Sequence, residues 1–187
     1  MQICFATGNI NKVEECESIL GFKLEQVELD LDEIQAVEVA KVVEHKVKQA
    51  FDLIKKPVIV EDTGLYFEAW NGLPGALIKW FDETIGYAKL CSLLVSENRK
   101  AKAQTIIGYF DGEEYKSFVG EVTGKIAEKP KGPDNFGWDI IFIPKGFSET
   151  FAEMGKEKKN AISMRKIALE KLKEFLTLEG TKSLINK

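Results

Sequence analysis

The stretch Val58-Ile59-Val60-Glu61-Asp62-Thr63-Gly64 decides the fold. A run of β-branched apolar residues reads as a buried strand. Here the run ends on two adjacent carboxylates. Ligands of open α/β sheets bind just outside the carboxyl ends of the strands. An acidic pair at that point suits a divalent cation or a general base. It equally suits a strand leaving the core with its acids solvated at a turn.

Working outward from this strand gives a layered pattern. Residues 2–6 read as a first strand, and residues 11–20 as a helix with Val13, Cys16, Ile19 and Leu20 on one face. Residues 24–29 read as a second strand. Val39, Val43, Val47, Ala50, Phe51 and Ile54 then recur at helical spacing until Pro57 stops the helix. This β-α-β-α-β order predicts an α/β layer with partly parallel strands. Beyond Gly64, residues 65–69 are expected to form another short strand. Asn71-Gly72-Leu73-Pro74-Gly75 reads as a loop, and residues 76–97 as mainly helix with a break near Gly86. Residues 103–110 and 115–122 flank Asp111-Gly112-Glu113-Glu114 as a β-hairpin. That hairpin is expected to extend the sheet into a second lobe, leaving a cleft suited to a ligand. A Pro/Gly/Lys-rich loop over 128–137, a strand over 140–143 and a last helix over about 161–176 complete the pattern.

The 187 residues suit one large domain or two small lobes, and 44% hydrophobic content supports a sizeable core. No apolar run reaches the ~18 residues of a membrane span, and the N-terminus reads as a strand rather than a signal leader. No membrane association is therefore expected. Cys4, Cys16 and Cys91 are odd in number and far apart, which fits a reducing cytoplasm and neither a zinc site nor a disulfide framework. A net charge of −4 argues against a stable nucleic-acid partner.

Several segments can carry chemistry. Thr7-Gly8-Asn9 lies between a strand and a helix, with Lys12 in the first turn. Such a junction presents backbone N–H groups to an anion, or it is a plain turn capped by Asn9. Asp30, Asp32 and Glu33 precede the second helix, where one can cap it or join Asp62 around a hard cation. Phe136-Gly137-Trp138-Asp139 follows the basic loop, so its aromatics either stack on a nucleobase or plug the core. Lys156, Lys158, Lys159 and Arg165 form a basic run expected just before the last helix. Such a run is a solvated face or an anion site. His45, the only histidine, is expected at the surface. Without a histidine partner for serine or cysteine, a triad hydrolase is disfavoured.

Taken together these segments resemble one family, the inosine triphosphate pyrophosphatases, or Ham1-like nucleotide hydrolases. The matching blocks are Thr7-Gly8-Asn9 with Lys12, Glu33-Ile34-Gln35, Val60-Glu61-Asp62-Thr63-Gly64-Leu65 and Asn71-Gly72-Leu73-Pro74-Gly75. Phe136-Gly137-Trp138-Asp139, Phe151-Ala152-Glu153-Met154 and Lys159-Asn160-Ala161-Ile162-Ser163 with Arg165 follow in family order. They cover nearly all of residues 1–187, as one domain. The resemblance implies an α/β fold with an elongated mixed central sheet flanked by helices, two lobes and a cleft, assembled as a homodimer. It implies Mg2+-dependent hydrolysis of inosine, deoxyinosine and xanthosine triphosphates to monophosphate and pyrophosphate. By position, Thr7, Gly8, Asn9, Ile10, Asn11 and Lys12 would hold the triphosphate, with Lys46 as a further phosphate contact across a one-residue insertion. Glu33 would bind metal. Asp62 would accept the proton and touch metal, beside Thr63. Phe136, Gly137, Trp138 and Asp139 would surround base and sugar, and Lys159, Met164 and Arg165 would complete the pocket.

One position departs from the family. Its pattern after the serine is His-Arg, whereas this chain has Met164-Arg165. A methionine side chain cannot supply the hydrogen bonds of a histidine. Two other classes fit some of the same residues: a nucleotide-binding regulator with impaired chemistry, and a Maf-like pyrophosphatase acting on other modified nucleotides.

Overall fold

A computed structural model of the chain describes residues 3–95, 98–133 and 137–185. The first half follows the hydrophobic pattern. β1 (Cys4–Ala6), α1 (Ile10–Leu20), β2 (Glu25–Val27), α2 (Val39–Ile54) and β3 (Val58–Phe67) succeed one another. β1 pairs in parallel with both β2 and β3. α1 buries Val13, Cys16 and Leu20, while α2 buries Val39, Val42, Val43, Val47 and Ala50. The two helices cover opposite faces, because alternate residues of β3 join different cores. Ile59 packs with α1, and Val58 and Val60 pack with α2.

The second half adds antiparallel strands. β4 (Pro74–Gly75) pairs with the far end of β3. α3 (Ile78–Leu93) is interrupted at Gly86, whose φ of 73° breaks the helix where the sequence predicted. β5 (Lys100–Phe110) and β6 (Tyr115–Ile126) form the expected hairpin, longer at its open end than predicted. β7 (Phe142–Pro144), α4 (Phe151–Ile162) and α5 (Met164–Ile185) follow. Among the described residues the sheet has seven strands, ordered β2-β1-β3-β5-β6-β7 with β4 beside β3. Leu65 and Phe67 carry β3 into a third core with α3, β7 and α4. The long strands thus run through more than one of these cores within a single mixed sheet. No helix among the described residues is long and apolar enough to cross a membrane.

Three sequence-based expectations need correction. β3 does not end at Glu61-Asp62, and residues 65–69 do not start a new strand. β3 continues to Phe67 because β5 pairs with every residue from Val58 to Phe67. The end of β1 leaves a gap instead. β1 pairs β3 as far as Ile59, β4 begins at Leu65, and residues 60–64 have β5 alone beside them. Secondly, the basic run 156–159 precedes α5 but is itself helical, lying in the part of α4 that follows the break at Gly155. Thirdly, Gly137–Ile140 is a short 3-10 helix, so the strand predicted over 140–143 starts later, at Phe142.

Candidate functional site

The gap between β1 and β4 leaves one edge of β3 without a neighbouring strand over residues 60–64, and alternation sends its two acids opposite ways. Asp62 points toward α2. There Lys46 Nζ donates to Asp62 Oδ2 at 3.2 Å and to Glu33 Oε1 at 2.9 Å. Glu33 and Asp62 therefore converge on one cation, the Lys46 ammonium. The other Asp62 oxygen accepts the Thr63 backbone N–H at 2.8 Å. The hydrogen bond from Lys46 lowers the Glu33 carboxyl below its ordinary range. Burial depresses the Lys46 ammonium, but Asp62 and Glu33 outweigh it, so its pKa is raised. These residues line a cavity of about 220 Å³ with Gln35, Thr63, Trp80 and Trp138.

Glu61 points the other way, toward α1 and α5. Its side chain has 0% exposure. Arg165 grips it from two sides, Nε to Oε2 at 2.9 Å and Nη2 to Oε1 at 3.0 Å. Lys12 Nζ lies 3.2 Å from Oε1. Burial would raise the Glu61 carboxyl, but Lys12 and Arg165 overcome it and hold the group at about 2. Arg165 also donates from Nη1 to Glu15 Oε2 at 2.8 Å, and its two carboxylate partners raise its pKa. Three of its five N–H donors are thus committed.

A cavity of about 360 Å³ opens beside this network, lined by Asn9, Lys12, Thr63, Trp138, Lys159 and Met164 among others. Thr63 and Trp138 line both cavities, so the two meet at the gap in the sheet. The volume falls within the range of small-molecule sites. A larger cavity, about 750 Å³, lies around Lys100, Lys125 and Phe147 and is lined by none of the predicted site residues.

The Thr7–Asn9 turn is built as a cap. Asn9 Oδ1 accepts from the backbone N–H groups of Asn11 and Lys12 at 3.0 and 3.3 Å. Asn9 N donates to Thr7 Oγ1 at 3.1 Å. The cap places Asn11 and Lys12 at the cavity mouth, while Gly8 is exposed in the turn and Ile10 is exposed at the first position of α1. Trp138 is buried and meets Phe142 edge-on at 6.0 Å, so it plugs the core while one side borders the cavities. Gly137 also lines the larger site cavity. Asp139 is buried against Lys159, yet burial prevails and raises its pKa. Phe136 lies outside the described residues.

Met164 is buried in the core shared with Trp138 and Phe151, and also lines the cavity. Its backbone lies close over β6: a Cβ at Gly120 would run into the Met164 carbonyl oxygen. That close approach locks the start of α5, and with it Arg165, onto the sheet. His45 is not the surface residue expected. It is partly buried, and its Nε2 is enclosed without a hydrogen-bond partner among the described residues. Lys158 pairs with Glu149 at 2.6 Å and does not line either site cavity. Sequence reasoning missed Glu15, which joins the Arg165 network. Its signal was the i, i+3 spacing from Lys12 on one helix.

Comparison with known proteins identifies the family. The sequence profile described as the Ham1 family matches residues 3–175. The chain belongs to the Ham1 family. It is 42% identical over 180 residues to the dITP/XTP pyrophosphatase of Methanopyrus kandleri, covering 94% of this chain and 96% of that protein. It is 44% identical over 189 residues to the inosine triphosphate pyrophosphatase of Yarrowia lipolytica, covering 98% and 100%. The solved structure of the Staphylococcus aureus Ham1 protein superposes with a TM-score of 0.85 at 28% identity, covering 96% of this chain and 100% of that one.

Proposed function

We propose that this chain is a nucleoside triphosphate pyrophosphatase that hydrolyses ITP, dITP and XTP to the nucleoside monophosphate and pyrophosphate. The observation that carries the reading is the convergence of Asp62 and Glu33 on one cation position beside a cavity lined by Lys12. The dITP/XTP and inosine triphosphate pyrophosphatases named above are similar over nearly their whole length, which supports the same substrate class.

The residues present fit Mg2+. That ion takes few protein carboxylates and fills its shell with water and phosphate oxygens. Glu33 and Asp62 supply two such carboxylates, already gathered around the Lys46 ammonium. Among the described residues there is no cluster of three or more His, Cys, Asp or Glu able to cage a metal. That suits an ion shared with substrate phosphates. When bound, Mg2+ would neutralise charge on the polyphosphate.

The chain's own residues would do the rest. Lys12 and Lys46 would hold phosphate oxygens, with Thr7–Asn11 shaping the mouth. Asp62 would orient a water and take its proton as the water oxygen bonds to the α-phosphorus. The bond from that phosphorus to the bridging oxygen would break, and pyrophosphate would leave. Trp138, Gly137 and Asp139, with Phe136, would surround base and sugar, and Lys159, Met164 and Arg165 would close the pocket. A 6-oxo purine offers an acceptor where adenine offers a donor, so donors in this pocket would favour the former. The presence of Lys12, Glu33 and Asp62 at one cleft favours an enzyme over a regulator that only binds nucleotide. We further infer a homodimer in a reducing cytoplasm; the three cysteines are free and buried, as such a compartment permits.

The test is pyrophosphate release from ITP, XTP, dITP, ATP and GTP, each with and without Mg2+. A Mg2+-dependent preference for the first three is expected. Equal rates on all five, or orthophosphate as the product, would overturn the reading.

A further inference from the structure

We propose that Glu61 is a positioning residue for this reaction: its buried carboxylate fixes Lys12 at the triphosphate cavity, with Arg165 as the strut on its other side. The inference rests on the function proposed above.

Glu61 follows from the strand geometry. It sits in the part of β3 beside the sheet gap, on the face opposite Asp62. A carboxylate taken wholly out of water is costly unless cations and hydrogen bonds compensate it. Here Arg165 spans both oxygens and Lys12 shares one of them. The constraint works in both directions. Whatever holds the carboxylate is itself held.

The two cations differ in how much they depend on it. Arg165 has a second anchor in Glu15, and its side chain is 16% exposed. Lys12 has a single ion-pair partner among the described residues, Glu61, and its side chain is 25% exposed at the cavity. Lysine carries a flexible four-carbon stem with three rotatable donors. Its one contact leaves donors to spare for a phosphate while limiting where the ammonium can go. Removing the Glu61 charge would therefore release Lys12 but leave Arg165 tied to Glu15. The functional loss should pass mainly through Lys12.

A kinetic double-mutant cycle tests this with Glu61→Gln, Lys12→Met and the double variant on ITP. The amide keeps the shape of Glu61 but removes its charge and turns one acceptor into a donor facing Arg165. Glu61→Gln is expected to raise KM about tenfold or more with kcat within about threefold, the signature of lost substrate holding. In the Lys12→Met background the same substitution should change KM by less than about twofold, because coupled residues are not additive. A wild-type KM in Glu61→Gln, or effects that simply multiply in the double variant, would overturn the proposal. If Glu61→Gln fails to fold, Glu61→Asp keeps the charge on a shorter arm. The cycle is then run with that variant, and the same two criteria decide. A wild-type protein that releases no pyrophosphate from any purine triphosphate would sink the functional reading and this inference together. An active wild type with independent effects would sink the role of Glu61 alone.

Discussion

The two faces of β3 carry adjacent acids in opposite situations. On one face Asp62 is 27% exposed in its side chain, shares Lys46 with Glu33 and looks into an open cavity. On the other, Glu61 is fully enclosed and both its oxygens are taken by Arg165 and Lys12. Neighbours in sequence thus divide into an accessible group able to act on a ligand and a sealed group that holds other side chains. A strand makes this division automatically, because successive side chains point to opposite faces. The missing neighbour strand beside residues 60–64 lets both faces communicate with one cleft.

The largest effect expected to sharpen this contrast is Asp62→Asn. Turnover of ITP should fall on the order of 10²–10⁴-fold, the range of a lost general base. The melting temperature should stay close to wild type, since Asp62 is partly solvated. Near-wild-type turnover would remove Asp62 from the proton-accepting role.

Glu61→Gln should behave in the opposite sense and weigh on stability. Removing one partner of a buried ion pair costs about 3–5 kcal/mol, readable in urea unfolding. The pH dependence gives a second check. The Glu61 pKa lies at about 2 in the folded chain, below its ordinary 4.5. Its contribution is therefore fully present above about pH 4.5 and is lost as the pH falls toward 2. Glu61→Gln should flatten the acid limb of the stability curve in that window. An unchanged acid limb would contradict the sealed ion network.

Met164→His should have a smaller effect. The side chain lies in an apolar core and also borders the cavity. An imidazole there is expected to cost about 1–3 kcal/mol of stability unless it finds a partner. Its effect on kcat/KM for ITP should stay under about tenfold. A hundredfold gain would mean that Met164 limits catalysis. Thr150→Ala, at a residue that lines neither site cavity, should be the mildest. It removes the hydroxyl half of the capping box at the start of α4, worth about 1 kcal/mol, together with the hydroxyl's bond to the Lys131 carbonyl, and should leave turnover unchanged.

Local sequence rules made much of the fold legible. The β-α-β-α-β order, the Gly86 break and the long hairpin are all written in periodicity and turn residues. What escaped depends on distant partners. β3 runs past its acids because β5, some forty residues later, supplies its backbone bonds. α4 was obscured by Gly155 and the charged run around it, although Thr150 and Glu153 spell a capping box. The site was legible only as an ordered set of short blocks. Asp62, Glu33 and Lys46 carry no local mark of their meeting, and Glu15 acquires its place from Arg165, 150 residues away.

The most direct measurement is hydrolysis of ITP in heavy-oxygen water, followed by mass analysis of the products. If Asp62 directs water to the α-phosphorus, the label enters inosine monophosphate and the pyrophosphate stays unlabelled. Label in pyrophosphate or orthophosphate would place the attack elsewhere along the triphosphate and contradict the role assigned to the Asp62 face.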